Sequence, residues 1–65
     1  MDLKTIFAHQ GQKVLWRVDI AAVPVVILDG RSSYGRVEAK IQTTEGRIKW
    51  VDSRSLILPG EGEGK

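Results

Sequence analysis

From Arg36 to Trp50 apolar and polar residues alternate with a period of two, interrupted once by Thr44-Glu45-Gly46, and no other feature limits the fold as strongly. Val37, Ala39 and Ile41 point one way along residues 36–43, with Arg36, Glu38, Lys40 and Gln42 on the other side, as in a half-buried strand. After the turn Ile48 and Trp50 continue the apolar series and Arg47 and Lys49 the polar one, so residues 36–51 read as a β-hairpin. Whether the loop is Thr44-Glu45 or Glu45-Gly46, Ile41 falls beside Ile48 or Trp50, and the basic side chains gather on the opposite face. A basic face that does not depend on register is therefore expected.

The rest of the chain extends this β reading. Val14, Trp16 and Val18 alternate with Leu15, Arg17 and Asp19, which predicts a first strand over 13–19 with Trp16 as a core anchor. Ala22 to Leu28 is almost continuously apolar and predicts a second strand covered on both faces, its paired part starting near Val25 because Pro24 has no N–H to donate. Asp29 to Gly35 consists of turn-forming residues bounded by two glycines and reads as an exposed loop displaying Tyr34. Asp52-Ser53-Arg54-Ser55 favours a single helical or 3₁₀ turn, and Leu56-Ile57-Leu58 a last short strand that Pro59 stops. Leu3, Ile6 and Phe7, spaced i, i+3, i+4 between Asp2 and Gly11, fit a two-turn helix around 3–9; an extended arm is the alternative, since so short a helix depends on docking. The plan is an arm or short helix over 1–12, a five-stranded all-β domain over 13–58, and a glycine-rich tail over 59–65 that reads as disordered.

With 65 residues and no cysteine, this is one small domain without disulfides, and a single histidine, His9, cannot assemble the usual zinc ligand sets. Stability must come from a compact core or a partner subunit, and no cofactor or metal is expected. The apolar run Ile20 to Leu28 is broken by Pro24 and falls far short of the roughly 20 residues of a membrane span. Asp2, Lys4, His9 and Gln10 near the start do not fit a secretory signal, so a soluble cytoplasmic protein is expected, with no membrane partner. Ser32, Ser33, Ser53 and Ser55 have only His9 and scattered carboxylates as prospective bases, and Gly30 and Gly35 do not lead into a helix as a phosphate loop requires. These residues read as turn formers, and no enzymatic activity is expected.

Five short strands, a tight hairpin between the third and fourth, and a 3₁₀-like turn before a brief last strand resemble the Src-homology-3-like small barrel. The most specific stretch runs from Gly46-Arg47-Ile48-Lys49-Trp50-Val51 through Asp52-Ser53-Arg54-Ser55 to Leu56. Gly30 to Gly35 followed by Arg36-Val37 resembles the KOW and Tudor-like readers of nucleic acid and protein that share this architecture. The resemblance implies a closed barrel over 13–58 and a binding role, without identifying one family.

Charge position points to a partner. Between Gly30 and Leu56 six cations face three carboxylates, a balance of +3, whereas the whole chain carries +2. Arg36, Lys40, Arg47 and Lys49 on the hairpin, extended by Arg31 and Arg54 and with Tyr34 for stacking, compose a candidate nucleic-acid face. Glu38 interrupts it, and the same alternation also describes a merely solvated sheet face. The second reading is a protein-interaction or self-association module, a homodimer included, using the apolar strand 20–28 or an open sheet edge. In either reading Trp16 and Trp50 are taken as core residues.

Overall fold

The computed structural model describes residues 2–58. Asp2 starts the fold by accepting hydrogen bonds from the Thr5 N–H at 2.9 Å and the Thr5 hydroxyl at 2.7 Å, capping helix α1 (Leu3–Ala8). Gly11, at φ +83°, then reverses the chain, and its N–H donates to the Ile27 carbonyl at 2.7 Å. Five antiparallel strands follow: β1 (Lys13–Val18), β2 (Ala21–Ser33), β3 (Arg36–Thr43), β4 (Ile48–Asp52) and β5 (Leu56–Ile57), with a 3₁₀ turn at Ser53–Ser55. They form one open sheet in the order β4-β3-β2-β1-β5. The expected short helix and all-β plan are thus present.

Strand β2 organises the sheet. Its first half, Ala21 to Val26, pairs with β1 and its second half with β3, and only Val25 and Val26 have partners on both sides. Leu28 is the extra residue of a bulge between Ile27 and Asp29, where the register with β3 shifts. One face of the sheet supplies the core: Val14 from β1, Val25 and Ile27 from β2, Ala39 and Ile41 from β3, Val51 from β4 and Leu56 from β5, closed by Leu58 and by Ile6 of α1. Burying one face against itself requires curvature. The Lys49 ammonium on β4 lies 5.1 Å from the Trp16 ring centroid on β1, although three strand spacings would separate them by roughly 14 Å in a flat sheet.

Two expectations need correction here. Asp29 to Gly35 is not an exposed loop: β2 continues to Ser33, and only Tyr34 and Gly35 turn the chain, both at positive φ (53° and 77°), the pattern of a two-residue hairpin turn. Gly30 belongs to that strand because α1 rests on it; a Cβ there would come within 2.7 Å of Ile6 Cγ2. The pairing of β2 also begins before Val25, with Pro24 opposite Leu15. Proline is tolerated there because Ala21 to Pro24 have no β3 partner on their other side. The tail over 59–65 lies outside the described residues, and no helix among those described is long and apolar enough to cross a membrane.

Candidate functional site

The loop between β3 and β4 decides which side chains share a face. The Thr43 N–H donates to the Arg47 carbonyl at 2.8 Å, and the Gly46 N–H donates back to the Thr43 carbonyl at 2.9 Å. Thr43 Oγ1 accepts from the Arg47 N–H at 3.2 Å, and Gly46 sits at φ +89°. The loop therefore has three residues, Thr44 to Gly46, instead of two. One added residue reverses the facing of a whole strand. Ile41 stands opposite Lys49, and Trp50 stands opposite Lys40.

This overturns the register-independent basic face and the placement of Trp50 in the core. Val51 takes the core position, while Ile48, 54% exposed, and half-buried Trp50 lie on the outer face. Lys49 is on the inner face at the rim, over Trp16, which packs half-buried against the core. Arg47 ends the loop opposite Thr43, with its Nε 3.9 Å from Glu45. Neither Arg47 nor Lys49 joins the other predicted residues.

The outer face of β2, β3 and β4 is built in rows. Val26, Gln42 and Ile48 form the first; Asp29, Lys40 and Trp50 the second; Arg31, Glu38 and Asp52 the third; Ser33 and Arg36 the last. Arg31 is held from two sides, its Nε donating to Glu38 Oε1 at 2.8 Å and its guanidinium stacked 4.2 Å from the Trp50 ring centroid. Tyr34 stands at the end of the face, fully exposed at 102%. A groove lined by Arg31, Ser33, Tyr34, Arg36 and Glu38 runs beneath it.

Beside that groove Asp52 caps the 3₁₀ turn, accepting from the Arg54 N–H at 2.8 Å, and pairs with the Arg54 guanidinium at 3.2 Å. The guanidinium hydrogen bond, and next the backbone N–H, hold the Asp52 carboxyl below the ordinary aspartate range. Arg36 lies between this pair and the Tyr34 groove. Arg31, Tyr34, Arg36, Lys40 and Arg54 are thus gathered on one side, with Asp29, Glu38 and Asp52 among them, so four cations face three carboxylates. Among the described residues Arg36 and Lys40 form no ion pair. Trp50 is the site residue that the pattern of alternation misses; the signal for it is Gly46, which marks the third position of a three-residue hairpin loop.

Comparison with family models, with curated proteins and with solved structures finds no match to this chain.

Proposed function

We propose that this chain is a small, non-catalytic nucleic-acid-binding module of the Src-homology-3-like barrel type, and that it binds through the outer face of β2, β3 and β4. The barrel reading is supported by the curl of the sheet, by the sharing of β2 between β1 and β3, and by the 3₁₀ turn leading from β4 to β5. The observation that carries the binding reading is the pair of free cations, Arg36 and Lys40, beside the stacked Arg31 and Trp50, with Tyr34 exposed at the end of the same face. Lys40 and Arg36 neutralise phosphates, Tyr34 offers a ring to an unpaired base, and Arg31 is already oriented by Glu38 and Trp50. With two free cations the salt dependence is shallow, a slope of log K on log salt of about −1.4 to −1.8.

The test is a titration of isotope-labelled protein with short single- and double-stranded oligonucleotides, first at low salt and then at raised salt. Amide shifts should cluster at 31–40 and at Trp50 and fade with salt, and Arg36→Glu with Lys40→Glu should abolish them. Shifts confined to Arg47 and Lys49, or no shifts at low salt, would overturn the proposal.

A further inference from the structure

Tyr34 is the least expected residue of the outer face. It takes the first position of the turn between β2 and β3 at φ +53°, where Gly, Asn or Asp is favoured and a bulky side chain is strained. It gains no packing in return, since it stands fully exposed. The other ring on this face, Trp50, is half-buried and already stacked against the Arg31 guanidinium. A planar ligand that stacks on this face therefore meets Tyr34.

Tyr34 overlooks the groove that Arg31, Ser33, Arg36 and Glu38 complete. Along it the turn is followed by the row of Ser33 and Arg36 and then by the row of Arg31 and Glu38, so the small Ser33 separates the ring from the acidic end. A carboxylate repels phosphates, so Glu38 does not serve the backbone of a strand. Its Oε1 accepts from Arg31 Nε at 2.8 Å, while Oε2 makes no hydrogen bond or ion pair among the described residues. Arg31 keeps its terminal N–H groups beyond the one given to Glu38. The pair thus offers the groove an N–H donor beside a carboxylate acceptor.

We infer that this groove selects guanine in a single strand, a reading that rests on nucleic-acid binding by the same face. Among the bases only guanine presents two adjacent donors, N1–H and N2–H, next to an acceptor, O6, on its Watson–Crick edge. With guanine stacked on Tyr34, both donors go to the Glu38 carboxylate, whose oxygens offer about four lone-pair sites, and O6 accepts from an Arg31 N–H. Arg36 and Lys40 hold the flanking phosphates. Adenine and cytosine each bring one donor beside a ring-nitrogen acceptor, and thymine or uracil flanks its single N–H with two carbonyl oxygens that the carboxylate repels. In a duplex this edge is already paired, so only an unpaired guanine enters.

Titration of the full chain, isotope-labelled, with a short oligothymidine carrying one central guanine, adenine, cytosine or hypoxanthine tests it. The guanine strand should bind about tenfold tighter than the adenine and cytosine strands, with the largest amide shifts at Tyr34 and Glu38. Hypoxanthine keeps N1–H and O6 but lacks the N2 amino group, so its strand should fall between them, a comparison that alters no residue of the protein. Glu38→Gln should erase the preference for guanine over adenine, and Tyr34→Asn, a residue suited to the turn, should weaken the guanine strand about tenfold. Equal affinities for all strands, or a guanine preference that survives Glu38→Gln, would overturn guanine selection and leave nucleic-acid binding standing. Guanosine monophosphate binding as tightly as the guanine strand would overturn the single-strand reading, and no binding to any strand would overturn both this inference and the nucleic-acid reading beneath it.

Discussion

Trp50 shows how much rests on one residue of loop length. A core tryptophan cut to alanine costs about 3–5 kcal/mol, but Trp50 is half-buried on the outer face, so Trp50→Ala should cost about 1–2 kcal/mol in urea unfolding while releasing Arg31. Trp16→Ala, which empties a place against the core, should cost more. Gly30 is as position-bound for the opposite reason, having no space above it. Gly30→Ala should lower stability by about 1–3 kcal/mol, and adding Ile6→Leu, which removes the Cγ2 methyl only 2.7 Å from the new carbon, should return part of the loss. Asp52, like the helix cap Asp2, contributes to the pH dependence. Its folded pKa lies below the unfolded one, so its contribution is full above the unfolded value and is lost as pH falls through the folded value. A carboxyl-carbon NMR titration should place the Asp52 midpoint below that of an unperturbed aspartate, and Arg54→Gln should raise it.

Helix α1, at six residues, is far shorter than the roughly 12–15 at which isolated helices become even marginal, so it exists because it docks. Ile6 enters the core over Gly30, Gln10 Nε2 donates to the Leu28 carbonyl at 2.8 Å, and the Ile27 N–H donates to the Gln12 carbonyl at 3.2 Å. Ile6→Ala should therefore destabilise the whole domain by about 2–5 kcal/mol, read from the urea midpoint; an unchanged midpoint would mean that the helix closes nothing. The helix, β1, β3 and the 3₁₀ turn were legible in the sequence because their signals are local: the Asp2 cap, alternation at 13–18 and 36–43, and the Asp-Ser run at 52–55. The second half of β2 was not, since what makes Asp29 to Ser33 a strand is β3 on one side and Ile6 above, neither of them near in sequence. Of the candidate site, Arg31, Tyr34, Arg36, Lys40 and Arg54 were legible as a group. The absence of Lys49 from it was not, because alternation fixes a period but leaves its phase to the loop.

As a whole the molecule has an edge to protect. Strand β4 ends the sheet, and the loop that takes Lys49 off the outer face places that ammonium on the inner side of the edge, where it discourages another strand from adding to the sheet. Lys49→Val should raise light scattering over time. Because one continuous strand, β2, pairs with β1 through its first half and with β3 through its second, and carries Gly30 beneath α1, a break in it parts the sheet into two hairpins and undocks the helix at once, so the two halves of the domain should unfold together.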